Sequence, residues 1–361
     1  MDRPCLYVAI TNHGFGHVTR TAAILAELQQ RCPELLLIVA TTAPRWLLEA
    51  YLSADFIHRP RQLDVGVIQS DSLTLDQGAT LQELLKLQNT AQELVDAESK
   101  FIRDQGVQLV LGDIPPLATQ IAKAAGVPCW MMSNFGWDLI YDHWGDKFRD
   151  IVTWIQDCFA DCDRLFRLPF AAPMPSFPVV EEIGLTGGKP RYSVAEIRAK
   201  LNLNVPQSQT VLLTFGGFGL NDIPYHHLEY FPEWQFITFD RHAPEQWPNL
   251  VKVNGQAYRP VDIMPACGRM ISKPGYGTFA EGCRVGIPIV SLPRSGFAEA
   301  QYLLAGLQQY HTHQILEPGE FTTSCWEFLN CEPLPPQSDQ RLALDGNEKI
   351  ATAVLTFLGA V

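Results

Sequence analysis

The segment TNHGFGHVTR, residues 11–20, sets His13 and His17 around Gly14 and Gly16, directly after the apolar run CLYVAIT. An unperturbed imidazole titrates near 6.5 and can take a proton from an alcohol at neutral pH. Glycines let a backbone approach a phosphate, and two histidines four apart on a helix can hold zinc. Taken alone, the segment leaves open a phosphate cradle, a metal site, a catalytic base and a tight turn with incidental imidazoles. The glycines argue for a turn rather than a zinc-binding helix, and no HExxH glutamate accompanies the histidines. The third glycine of a dinucleotide fingerprint is replaced by Arg20 or its neighbours.

A second segment, ISKPGYGTFAEGCRVGIPIVSLP (residues 271–293), carries a more specific pattern. A strand is expected to end at Ser272. Gly275 and Gly277 then open the backbone, and Thr278 begins a helix whose free N–H groups face the turn. Such a terminus favours an anion by about 0.3–1 kcal/mol from the dipole, with direct hydrogen bonds adding to it. Lys273 supplies a cation, and Glu281 places a carboxylate where it could accept the hydroxyls of a ribose. TFGGFG (residues 214–219), with Gly216 and Gly217, is a weaker cradle that draws its weight from the other one. The acidic DCD at 161–163 resembles a metal-binding DxD but sits in an expected helix-to-strand loop, so no metal site is assigned. His226, His227, His311 and His313 lack legible partners and default to solvent.

The elements that must position these residues follow from a strand-helix rhythm. CLYVAIT, LLLIVAT, VQLVLGD and VPCWMMS alternate with helical patterns at Val18–Gln30, Pro44–Leu52 and Leu117–Ala125, the signature of a parallel sheet covered on both faces. Asn134, Trp137 and Asp138 fall at a strand's C-terminal end, where parallel sheets place ligands. Residues 61–92 read as a loop and an amphipathic helix. The Pro- and Gly-rich stretch 166–188 breaks the rhythm, which restarts in TVLLTFGGFG, WQFITFD, GRMISKPGYG and IPIVSLP. The expectation is an α/β chain of two Rossmann-like domains, 1–173 and 174–345, with a helix over 346–361 that returns to the first domain and has Asp345 or Asn347 near its cap.

Composition limits the partners. The chain has 361 residues, 47% of them hydrophobic, and a net charge of −12 without any basic block, so a nucleic-acid surface is excluded as an expectation. Nine cysteines, odd in number and never spaced CxxC, fit reduced thiols and a cytoplasmic location. The opening MDRPCLYVAI is broken by Asn12 and His13 too early for a secretory signal, and no apolar run approaches a membrane span. Peripheral membrane contact through an apolar surface is compatible with this reading.

These residues together resemble glycosyltransferases of the two-Rossmann GT-B fold. KPGYGTFAE (273–281) is similar to the nucleotide-sugar signature of UDP-glycosyltransferases and of the peptidoglycan N-acetylglucosaminyltransferase. HGFGH (13–17), GVIQSDSLTLD (66–76), GDIPPLA (112–118) and SNFGWDLIYD (133–142) resemble the glycosyltransferase-like N-terminal region of plant L-arabinokinases. The resemblance implies that Gly275, Tyr276, Gly277 and Thr278 hold a diphosphate, that Lys273 replaces a phosphate-contacting histidine, and that Glu281 holds the ribose. It implies that His17 is a general base oriented by Asp113, with His13, Asn134, Trp137 and Asp138 on the acceptor side. The Asp-Gln pair that grips the sugar in those enzymes is represented here by Glu299 and Gln301, separated by Ala300. The expected activity is inverting, metal-independent transfer from a nucleotide sugar, UDP by resemblance, to a small-molecule or lipid-linked hydroxyl. The nucleotide sugar is a substrate, and no cofactor is expected. A nucleotide-sugar 2-epimerase or hydrolase, and a non-catalytic nucleotide-sugar sensor, are the alternatives.

Overall fold

The computed structural model of the chain describes residues 3–53, 55–217 and 219–360. Two parallel sheets organise it. The first holds β1 (Cys5–Ile10), β2 (Leu36–Ala40), β3 (Ile57–Arg59), β4 (Leu109–Asp113), β5 (Cys129–Ser133), β6 (Arg164–Arg167) and β7 (Val180–Glu182), in the order β3-β2-β1-β4-β5-β6-β7. The second holds β8 (Thr210–Thr214), β9 (Gln235–Thr238), β10 (Leu250–Lys252), β11 (Arg269–Ser272), β12 (Ile289–Ser291) and β13 (His313–Ile315), in the order β10-β9-β8-β11-β12-β13. The runs CLYVAI, LVLGD, CWMMS and TVLLT show no in-out alternation because they are buried on both faces, and each of their residues is buried.

In each sheet the chain order reverses beside the first strand. β1 lies between β2 and β4, and β8 lies between β9 and β11. Crossovers leave such a point toward opposite faces and open a crevice at the strands' C-terminal ends. Ile10 sits beside Asp113 in the first sheet and Ser272 beside Thr214 in the second. HGFGH, Asp113, Gly216, Gly217 and KPGYG therefore all emerge at the two switch points.

Seven helices bear on the site: α1 (Phe15–Arg31), α2 (Gln77–Asp104), α3 (Leu117–Ala125), α4 (Trp137–Asp142), α5 (Tyr276–Val285), α6 (Glu299–Tyr310) and α7 (Gly346–Phe357). α1 packs Val18, Ala22, Leu25 and Leu28 into the core. α2 begins where the Asp76 carboxylate accepts from Ala79 N–H at 2.8 Å, and of its expected apolar stripe Leu84 is buried while Leu85 is exposed. α7 crosses back to pack on α1, burying Ile350, Ala351, Val354 and Leu355, with Arg31 donating to Thr352 Oγ1 at 2.8 Å. At its start Asp345 makes no side-chain cap. Asn347 instead accepts from the Gly187 N–H (3.1 Å) and donates to the Gly187 carbonyl (2.9 Å).

The first sheet crosses the boundary expected at 173/174, because β7 pairs with β6. An edge strand packs against one neighbour only, and no residue of β7 is buried. It therefore shows little of the apolar signal by which the other strands are recognised.

The two domains touch through their loops. Ser72 Oγ donates to the Phe215 carbonyl at 2.6 Å, and Trp144 Nε1 donates to the Gly296 carbonyl at 2.8 Å. Phe297 and Ala298, from the second domain, pack into the core of the first. A Cβ on Gly277 would lie 3.2 Å from the Gly16 carbonyl oxygen, so one glycine turn faces the other. No described helix is long and apolar enough to cross a membrane.

Candidate active site

The first half of the site is built on one face of α1. His17, Arg20 and Thr21 stand at i, i+3 and i+4, so all three side chains reach the same neighbour, Asp113 at the end of β4. His17 Nδ1 lies 2.8 Å from Asp113 Oδ1, while Arg20 Nε and Thr21 Oγ1 each donate to Oδ2 at 2.7 Å. Burial alone would raise the Asp113 carboxyl. The Arg20 guanidinium and His17 outweigh it and hold the group well below the usual carboxylate range. Asp113 is thus a fixed anion. His17 Nδ1 also lies 2.9 Å from Arg20 Nη2, but the proton belongs on Nδ1, since a bare lone pair facing an ionised carboxylate oxygen would be repelled. His17 Nε2 is then the unprotonated nitrogen, as a general base requires.

His13 has the opposite character. Its Nδ1 accepts from the Val67 N–H at 3.2 Å, so the proton of the neutral ring sits on Nε2. Burial first, then the charges of Arg294, His17 and Lys273, hold it well below 6.5. It is a neutral donor at physiological pH. Its ring stacks on Phe297 and meets Trp137 edge-on. A Cβ on Gly66, whose φ is +63°, would come within 2.6 Å of His13 Cβ.

Behind both histidines lies Asp64, accepting from Trp137 Nε1 (2.9 Å) and Asn12 N–H (3.4 Å). Burial pushes its carboxyl up to about 6, against the pull of these hydrogen bonds.

The second half of the site is the turn before α5. Phe279 N–H is the first to bond within the helix, to the Gly275 carbonyl, which leaves the N–H groups of Tyr276, Gly277 and Thr278 without an intrahelical acceptor. Tyr276 turns its ring under Arg20, 5.0 Å from the guanidinium carbon. Lys273 makes no hydrogen bond or ion pair among the described residues. Burial, with Arg294 nearby, pushes its ammonium down to about 7, while Glu299 pulls the other way. Gly216 takes φ +77° and lies against the Lys273 stem, and Gly217 faces the Phe15 ring of the first domain.

A buried chain of polar groups joins the halves. Arg20 Nη1 donates to Asn134 Oδ1 (2.9 Å), and Asn134 Nδ2 donates to Glu299 Oε1 (2.8 Å). Glu299 thus reaches the His17–Asp113 pair from the second domain through two intermediaries. Gln301 is exposed, and a two-residue step on a helix turns it about 200° away from Glu299.

Other expected residues take other places. Glu281 Oε1 accepts from the Gly188 N–H (3.0 Å) and the Tyr51 hydroxyl (3.4 Å), so this carboxylate is engaged with the interdomain linker. Trp137 is wholly buried, and Asp138 accepts from Ser176 Oγ at 2.8 Å instead of joining the cluster. Of the DCD carboxylates, Asp161 pairs with Lys123 and Asp163 accepts from the Cys129 N–H. Among the described residues no group of three His, Cys, Asp or Glu is placed to hold a metal ion. His227 and His313 are buried rather than solvated, against Trp326 and beside the His311 carbonyl respectively. Sequence reasoning passed over Arg20, Asp64 and Arg294. Only Arg20 had a local signal, its i+3 spacing from His17.

No family model matches the chain. A curated relative, the L-arabinokinase of Arabidopsis thaliana, is 30% identical over 313 residues, which is 83% of this chain and 29% of the relative; the chain therefore spans under a third of that protein's length. Among solved structures, Arabidopsis thaliana UGT89C1 complexed with UDP superposes with a TM-score of 0.62 at 14% identity, covering 97% of this chain and 99% of that one. The calicheamicin glycosyltransferase CalG4 covers 100% of both chains with a TM-score of 0.58 at 16% identity. A UDP-glucosyltransferase from Polygonum tinctorium capable of glucosylating indoxyl gives 0.61 at 12% identity, covering 99% of this chain and 94% of that one. The fold is GT-B. In this GT-B chain the two sheets are the two Rossmann-like domains expected from the strand-helix rhythm, and the turn before α5 meets the start of α1, which carries His17, at Gly277 and Gly16.

Proposed function

We propose that the chain is a glycosyltransferase that moves a sugar from a nucleotide sugar, UDP-linked in the first instance, to a hydroxyl of a small or lipid-linked acceptor, with inversion and without a metal ion. The observation that carries the reading is the His17–Asp113 pair at 2.8 Å, set across the crevice from an open helix terminus and a lysine. His17 Nε2 takes the acceptor proton as the hydroxyl oxygen attacks the anomeric carbon. The bond from that carbon to the diphosphate oxygen breaks, and the departing charge is met by the N–H groups of Tyr276, Gly277 and Thr278 and by Lys273. Asp113 stabilises the imidazolium formed at His17 and keeps its proton on Nδ1. His13, as a neutral donor, orients the acceptor. The nine unpaired thiols support a reducing, cytoplasmic setting for the reaction.

The test is to screen nucleotide sugars against a panel of hydroxyl acceptors, following release of nucleoside diphosphate and the anomeric configuration of the product. His17→Ala should lower kcat by about 10²- to 10⁴-fold with the fold intact. Full turnover in that variant, or a product of retained configuration, would refute the mechanism.

A further inference from the structure

Arg294 lies between β12 and α6 with only 9% of its surface exposed. Its guanidinium rests 3.9 Å from the Phe297 ring centre, and its one hydrogen bond among the described residues runs to Gln69 Oε1 in the other domain, at 3.3 Å. Nε has no partner among the described residues, and neither does Gln69 Nε2. Because Gln69 Oε1 receives Arg294, its amide nitrogen is a donor with nothing to donate to. Lys273 is the third such group, emerging after β11, the strand paired with β12. Glu299, whose charge acts on both Arg294 and Lys273, is bonded to Asn134 and forms no ion pair with either among the described residues. A desolvated cation without a counter-ion costs several kcal/mol. Donors from three segments, the Arg294 guanidinium and a lysine that a bound anion would keep protonated among them, leave one kind of occupant that satisfies all three.

We infer that Arg294, Lys273 and the Gln69 amide form an interdomain clamp for a ligand oxyanion. Its source is either the terminal phosphate of the nucleotide or a carboxylate on the transferred sugar. The inference rests on the nucleotide-sugar reading for its ligand, and it adds that the anion ties the 66–76 loop of the first domain to the second. Arg294 is then a donor-binding residue that comes from outside the glycine turn.

Calorimetric titration of the full chain with pyrophosphate, UDP, UDP-glucose and UDP-glucuronate separates the possibilities. Arg294→Gln and Arg294→Lys are compared with the unsubstituted protein, and urea midpoints verify that each variant is folded. A charge-assisted contact of this kind predicts about ten- to hundredfold weaker binding in Arg294→Gln, partly recovered in Arg294→Lys. A loss seen equally with pyrophosphate, UDP and both sugars assigns the clamp to the phosphate. A loss confined to UDP-glucuronate assigns it to a sugar carboxylate. Affinities unchanged in folded Arg294→Gln, or no binding of any of the four to the unsubstituted protein, would overturn the clamp. Arg294-dependent binding of pyrophosphate with no gain from the uridine would keep the clamp and remove the nucleotide reading.

Discussion

Two histidines four positions apart have opposite proton chemistry here, and the difference lies in what faces each Nδ1. Asp113 puts the proton of His17 on Nδ1, whereas the Val67 N–H puts that of His13 on Nε2. Asp64 behind them titrates at about 6, raised by burial, compared with about 3.9 in an unfolded chain. A folded pKa above the unfolded one means that this carboxyl favours the fold below about pH 4, and that the advantage is lost as pH rises through 6. Asp64→Asn should therefore gain stability relative to the parent between pH 4 and pH 8, by ~3 kcal/mol at most, as measured by urea unfolding at the two pH values. A constant difference would show that Asp64 does not ionise at a cost. Lys273, pushed down to about 7 by burial and Arg294 and drawn back by Glu299, is largely neutral at pH 8 in the free protein. With His13 held neutral and Arg294 still charged, an arriving diphosphate should reprotonate Lys273. UDP affinity is then expected to fall from pH 7 to pH 9, with a binding enthalpy at pH 8 that depends on the buffer's ionisation enthalpy. Lys273→Met should abolish both effects.

At the scale of elements, the site consists of two strand-to-helix turns held face to face. The turn of β8 approaches the start of α1 so closely that a Cβ on Gly217 would run into the Phe15 ring. Gly217→Ala should cost about 1–3 kcal/mol of stability, the usual result of overpacking. Adding Phe15→Ala should return most of that cost, giving a clearly non-additive double-mutant cycle. Additive effects would mean that the turns do not bear on one another. The strand-to-helix character of both turns was legible in the sequence, because glycines following an apolar β-branched run are a local signal. Their mutual contact was not, since residues 15 and 217 meet only once both sheets are assembled. Arg20 shows the same limit: its spacing from His17 on α1 is local, but its bonds to Asp113 and Asn134 span 93 and 114 residues.

For the whole molecule, the chain's last helix binds the first domain, and Asn347 fastens the linker at Gly187 with two buried hydrogen bonds. Asn347→Ala would leave a buried N–H and C=O unpaired, and a loss of ~2 kcal/mol or more is expected in urea unfolding. A loss under about 0.5 kcal/mol would mean that water replaces the amide. The sequence by itself determined the alternation of strands and helices, the double-domain rhythm, the two glycine turns and the identity of His17 and Asp113 as candidates. The alternation, the rhythm and the turns are written in periodicity, in residue type or in motifs of a few adjacent residues, whereas His17 and Asp113 stand out as base and orienting acid through the resemblance of HGFGH and GDIPPLA to known glycosyltransferases. Tertiary structure alone decided that β7 extends the first sheet and that Glu281 engages the linker. It also decided that Trp137 and His227 are core, and that Arg20, Asn134 and Glu299 link the base pair to the second domain. Those outcomes depend on which buried polar groups find partners across the crevice, and a desolvated charge or amide takes its partner from whatever segment the fold brings within about 3 Å, regardless of distance along the chain.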